Sequence, residues 1–139
     1  MILLDLNVLL DVVQKREPRY AASAGVIELA IRGDVKGALP AHAMTTVHYI
    51  VGRYQGGGKA NEVVDWLLRH FEVAAIGHAQ VLRARALGWA DFEDAVVAAA
   101  AESSGCQAIV TRNVKDFSRS LVPAMTPEEY LLSVEDDTG

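Results

Sequence analysis

The sequence predicts an α/β fold: a mostly parallel sheet with helices packed on both faces. Three observations predict it. Short apolar runs bounded by turn residues recur along the chain. Longer segments with helical spacing alternate with those runs. Two of the apolar runs end where an acidic or hydroxyl side chain follows at once, Asp5 after residues 1–4 and Thr111 at the end of 107–111. Alternating strands and helices of these lengths favour parallel β-α-β units.

Residues 1–4 are apolar and are predicted to form a buried strand. They lack a basic region and a sustained apolar stretch, so they do not read as a signal peptide. Residues 8–13 start a short helix, and Pro18 opens a second that reaches about residue 32, with Ala22, Val26, Leu29 and Ala30 inward. Gly33 and Asp34 stop it, and 35–39 is a weak strand. Residues 41–54 read as a helix closed by a flexible loop at Gly56, Gly57 and Gly58. That loop is no phosphate-binding loop, since it follows a helix and lacks the Ser/Thr. A helix over 61–70 turns Val63, Val64, Leu67 and Leu68 to one side, and 71–76 is a third strand. Helices over 78–87 and 91–104 precede a fourth strand at 107–111. Thr126, Pro127 and Glu129 form a capping box for a last helix that ends near 134. Residues 1–134 thus make one domain, and 135–139 an acidic tail.

The 139 residues suit one domain with a sizeable core, being 51% hydrophobic and 22% charged. A net charge of −5 argues against broad, non-specific binding to nucleic acid. The single cysteine, Cys106, permits no internal disulfide, fits a reducing compartment, and reads as a small buried hydrophobe. No apolar run is long enough to span a bilayer, and the expected location is the cytoplasm. His42, His48, His70 and His78 show no zinc-ligand spacing.

In an open α/β sheet, ligands bind beyond the carboxyl ends of the strands. Asp5 ends the first strand, Asp116 lies in the loop after the fourth, and Asp94 sits in the first turn of the helix feeding the fourth. The three can converge. Carboxylates about 4 Å apart repel by roughly 4 kcal/mol at an effective dielectric near 20. A hard cation such as Mg²⁺, with Mn²⁺ as substitute, reverses that sign and can activate water at phosphorus. Each acid alone also has a structural use: Asp5 as a strand end, Asp116 as a turn residue, and Asp91 as a helix cap. Asn7 could bond Asp5 or fix a turn. Thr111 could hold a bound water or favour the strand. Arg112, Lys115 and Arg119 could meet phosphates or form a solvated face.

The segments Leu3-Leu4-Asp5-Leu6-Asn7-Val8-Leu9-Leu10, Asp91-Phe92-Glu93-Asp94-Ala95, Ile109-Val110-Thr111-Arg112-Asn113 with Asp116-Phe117, and Thr126-Pro127-Glu128-Glu129-Tyr130-Leu131 together resemble the PIN-domain nuclease family, with its VapC-like toxin ribonucleases. The resemblance spans nearly the whole chain. It implies a three-layer α/β/α fold with a central sheet of four or five strands. It implies a metal-dependent endoribonuclease with catalytic and metal-binding residues Asp5, Asp94 and Asp116 and supporting residues Asn7, Asp91, Thr111 and Asn113. It further implies an RNA substrate, a cognate antitoxin and a homodimer. The helix carrying Val47, Ile50 and Val51 suits either that dimer or the core. A groove between the helices at 18–32 and 41–54 could seat the antitoxin.

Two positions depart from the family pattern. Thr46 stands where many members carry a glutamate, and Asn113 where many carry an aspartate. The thinner acidic set favours one metal over two. The competing reading is a catalytically inactive PIN-like module that binds RNA or protein. A receiver domain is disfavoured because the third strand ends without an acid, and a haloacid-dehalogenase phosphatase because Asn7 replaces its second aspartate.

Overall fold

The computed structural model describes residues 1–138, with side chains to residue 136. The elements run β1 (Ile2–Leu4), α1 (Leu6–Val13), α2 (Tyr20–Ile31), β2 (Gly37–Pro40), α3 (Ala41–Gln55), α4 (Gly57–His70), β3 (Glu72–Ala74), α5 (His78–Leu87), α6 (Phe92–Ser103), β4 (Ala108–Val110), a short 3₁₀ helix (Val114–Phe117), β5 (Ala124–Met125) and α7 (Pro127–Thr138). Among the described residues five strands form one sheet in the order β3-β2-β1-β4-β5, and every pairing is parallel.

Period-two alternation builds the layers. Ile2 and Leu4 of β1, Leu39 of β2, and Ala108 and Val110 of β4 pack with Val8, Val26, Val47 and Leu67 on one face. Leu3, Ala38 and Ile109 turn the other way, onto Val97, Ala98, Ala101 and Phe117. The alanines of α6 let that helix lie close on the sheet, and Ala98 through Ala101 are buried. Cys106 is buried, as expected.

The strand order reverses direction between β1 and β4, which makes their carboxyl ends the switch point of the sheet. The β1–β4 register sets Leu4 beside Val110, so Asp5 and Thr111 emerge side by side.

Several boundaries differ from the sequence reading. The glycine run is not a loop: Gly56 alone makes the turn, at φ +89°, and Gly57 and Gly58 are the first residues of α4. First-turn amides need no intrahelical partner, and packing of Ala60 and Leu67 into the core outweighs poor glycine propensity. Leu68 is exposed instead of inward, because Trp66, with Val63, covers the core edge. Helix α1 begins at Leu6, two residues early, since Asp5 caps it. Helix α2 begins at Tyr20, past Pro18, and β3 is shorter than the apolar stretch around it. Gly37 leaves room for the Phe71 ring, which an added Cβ would meet at 2.8 Å. Helix α7 opens on the expected capping box, with Thr126 and Glu129 exchanging 3.1 Å bonds. It continues to Thr138 instead of stopping near 134; of the tail expected at 135–139, residue 139 lies outside the described residues. No helix among the described residues is long and apolar enough to cross a membrane.

Candidate active site

Asp5 is buried at the end of β1. Its backbone N–H continues the ladder to Val110 O at 2.9 Å. Its side chain caps α1, accepting the Leu6 N–H on Oδ1 at 2.8 Å. Oδ2 accepts the Thr111 hydroxyl at 2.9 Å and the Asn7 amide at 3.3 Å. Thr111, itself fully buried, also accepts the Asn113 N–H at 3.1 Å and Asn7 Nδ2 at 3.4 Å. The ends of β1 and β4 are thus tied through side chains as well as through the ladder.

The acids of α6 enter from the other side. Asp91 caps that helix, its Oδ1 accepting the Asp94 N–H at 3.0 Å. Asp94 is partly buried, in the first turn. Its carboxyl is pushed up from the ordinary 3.8 to about 7, by burial first and then by the charges of Asp91, Asp5, Asp116 and Glu93. Burial likewise raises the Asp5 carboxyl, against the pull of the Thr111 and Leu6 bonds; Glu93 adds to the rise and His42 opposes it. Asp94 therefore feels both other candidate acids. Asp116 stands exposed on the 3₁₀ helix, where its N–H donates to Asn113 O at 3.0 Å.

Two residues at this site were not singled out from sequence. Glu93 neighbours Asp94 on α6, and His42 opens α3 just beyond the carboxyl end of β2; His42 Nε2 lies 3.6 Å from Glu93 Oε1. The signal for His42 was available: it follows Pro40 and Ala41 directly, at the carboxyl end of the second strand, the edge where a site forms. Thr46 lies one helical turn further on, and its hydroxyl donates back to His42 O at 3.3 Å.

The three basic candidates separate. Lys115 and Arg119 are exposed. The Arg119 guanidinium lies 6.0 Å over the Trp89 ring, which itself packs edge-on against Phe117. Arg112 is largely covered, with Nε 3.3 Å from Asp11 Oδ2. A cavity of about 380 Å³ follows this loop, lined by Arg112, Asn113, Val114, Lys115 and Asp116.

The carboxylates gather without closing: among the described residues no three His, Cys, Asp or Glu side chains stand close enough to hold a metal ion as they are. A cleft of about 880 Å³ lies elsewhere, between Val13 and Lys15 after α1, Gln55 of α3, and Lys59, Val63 and Trp66 of α4. Its lining mixes apolar side chains with Lys15, Lys59, Glu62 and Arg69 and holds none of the candidate acids. The cleft does not run between α2 and α3, where a groove was expected, because α2 packs on α1 and α7 while α3 pairs with α4. Val47 and Val51 lie in the core, whereas Ile50 of the same helix is half-buried.

Residues 1–115 match the PIN domain family. No curated protein matches the sequence. The fold is similar to a toxin–antitoxin complex from Klebsiella pneumoniae, at a TM-score of 0.70 and 20% identity over 91% of this chain and 98% of that one. It is similar to VapBC-1 from nontypeable Haemophilus influenzae, at a TM-score of 0.70 and 15% identity over 92% and 99%. It is also similar to Mycobacterium tuberculosis VapC20, a sarcin-ricin loop cleaving toxin, at a TM-score of 0.58 and 15% identity over 78% and 87%. At such identities the likeness is one of fold.

Proposed function

The chain belongs to the PIN domain family, and on that premise we propose that it is a metal-dependent endoribonuclease, the toxin of a toxin–antitoxin pair acting in the cytoplasm. The observation that carries the reading is the gathering of Asp5, Asp94 and Asp116 at the switch point, where burial first, and then the charges of Asp91, Asp5 and Asp116, push the Asp94 carboxyl up to about 7. An all-oxygen, anionic, mutually repelling donor set fits a hard divalent cation such as Mg²⁺ or Mn²⁺. Asp5, Asp94 and Asp116 would hold it, and a bound cation would supply an activated water and stabilise charge at phosphorus.

The chain's own residues do the rest. Thr111 and Asn7 orient the Asp5 carboxylate, and donors of this kind are worth roughly 10–100-fold in metal affinity or activity. Asp91 sets the start of α6 and with it Asp94. Lys115 and Arg119 offer cations to RNA phosphates beside the site. Similarity to toxin–antitoxin complexes supports an antitoxin as partner. A basic side chain of that partner could sit among the acids, where an arginine fork pairs with a carboxylate.

A second reading keeps one specific support. Thr46 and Asn113 replace two acids, and the remaining ones stand short of a closed set, which suits an inactive RNA- or protein-binding module. One experiment separates the two. Purified wild type is incubated with structured and single-stranded RNA, with Mg²⁺ or Mn²⁺ and then with chelator, beside Asp5→Asn. The nuclease reading expects metal-dependent cutting that chelator and the substitution both stop. No cutting with either metal, in protein that still binds RNA, selects the inactive module. In cells, expression of wild type alone should arrest growth and co-expression of a cognate antitoxin should relieve it.

A further inference from the structure

Asp11 is fully buried, in the middle of α1. A carboxylate so placed needs compensation, and two groups supply it. Ser23 of α2 donates to Oδ2 at 3.0 Å. The Arg112 guanidinium brings Nε to 3.3 Å from the same oxygen. That contact is ionic: the Arg112 Nε–H is not aligned for a hydrogen bond, and Asp11 Oδ1 accepts none.

Arg112 is also held by its main chain, its N–H donating to Asn7 Oδ1 at 3.3 Å. Asn7 and Asp11 are one turn apart on α1 and share a face of that helix. One residue is thus gripped twice by one helix. It sits immediately after Thr111, which bonds Asp5, and immediately before the segment that carries Asp116. We propose that Arg112 is a positioning residue and not an RNA contact: with Asp11 it forms a buried clamp that fixes the loop after β4 against α1 and so sets Asp116 toward Asp94. The effect on catalysis rests on the nuclease reading; the effect on the loop does not.

The test measures amide hydrogen exchange over residues 111–117 in the metal-free chain, for wild type, Asp11→Asn, Arg112→Gln, Arg112→Lys and the double Asp11→Asn/Arg112→Gln. Each of the charge-removing single variants should lose protection in that segment by about tenfold, the equivalent of about 1.4 kcal/mol, while β2 and β3 keep theirs. Arg112→Lys should restore part of the loss. The double variant should lose no more protection than either single, because all three break one shared contact and the double leaves neither charge buried alone. If the singles do not fold, the double, which leaves no buried charge alone, carries the measurement. Unchanged exchange in the folded variants overturns the clamp, as does failure of all three to fold, which would make the pair a support of the whole core. On RNA, Arg112→Gln should lower kcat about tenfold and leave KM and its salt dependence in place. A flatter salt dependence with kcat intact would make Arg112 a phosphate contact and overturn the proposal. If wild type cuts no RNA, the nuclease reading fails and the exchange data still decide the clamp.

Discussion

The two sides of the candidate site are built on opposite principles. On the side of β1 and β4, Asp5 and Thr111 are buried and bonded to one another, with Asn7 between them. On the side of α6 and the 3₁₀ helix, Asp94 and Asp116 face each other's charge, and neither pairs with a cation among the described residues. The first wall is fixed by hydrogen bonds that exist before any ligand arrives. The second is held in tension by repulsion that only a counter-ion or a proton relieves. A bound cation would therefore change the second wall more than the first.

Substitution should expose that difference most strongly. Asp5→Asn, Asp94→Asn and Asp116→Asn should each lower RNA cutting by more than about hundredfold, beyond the 10–100-fold typical of residues that merely orient a ligand. Thr111→Val, which deletes such an orienting donor, should fall within that range. Stability should part the acids. Asp5→Asn gives up an acceptor for the Thr111 and Asn7 donors and should cost about 1 kcal/mol in the metal-free protein. Asp94→Asn removes a repelled charge and should raise the melting temperature at neutral pH. Parallel melting shifts for the two variants would dissolve the contrast.

The pH dependence follows from the burial of Asp94 and then from the same repulsion. In the metal-free chain the Asp94 carboxyl lies near 7, above its ordinary 3.8. Between those values the folded protein binds a proton that the unfolded chain has released. The stability tied to that proton is fully present below about 3.8 and is lost as pH rises through about 7. Metal competes for the same carboxylate, so affinity for Mg²⁺ or Mn²⁺ should climb over that window. At about a hundred times its dissociation constant, the cation should add roughly 2.7 kcal/mol of stability. Melting curves from pH 4 to 8, with and without Mn²⁺, check this. A metal effect independent of pH, or present equally in Asp94→Asn, would remove Asp94 from the metal site.

The first wall was also the more readable one. Asp5 and Thr111 each end an apolar run, and apolar runs at the carboxyl edge of a parallel sheet are visible in sequence. The tail of the site was readable only in part. Asp94 could be placed from its position in the first turn of a helix, but Glu93 and His42 meet across α6 and α3, a contact that no local pattern encodes. The burial of Arg112 was hidden for a related reason: an arginine in a polar loop reads as surface, and Asp11, which it meets, lies far off in sequence on a helix of apolar neighbours. The glycines at 57 and 58 misled because propensity is local and the packing of α4 is not.

The smallest effects are expected at the outer edge of the second wall, where two exposed cations differ in freedom. Lys115 carries its charge on an unrestrained stem beside Asp116, whereas the Arg119 guanidinium rests over the Trp89 ring. A contact of that kind is worth about 0.5–1 kcal/mol at an exposed site and restrains the charge. If single-stranded RNA passes along the loop, Lys115→Gln should reduce the slope of log affinity against log salt by about 0.7, the value for one phosphate contact. Arg119→Gln should reduce it by less, because that charge is engaged elsewhere. Trp89→Leu should free Arg119 and make the slope steeper, provided the edge-on contact with Phe117 is replaced by packing of similar volume. Binding is best followed with Asp5→Asn, so that cutting does not intrude. Equal slopes for Lys115→Gln and wild type would take the RNA off this face and leave the acidic pocket to be approached from the side of α3 and His42.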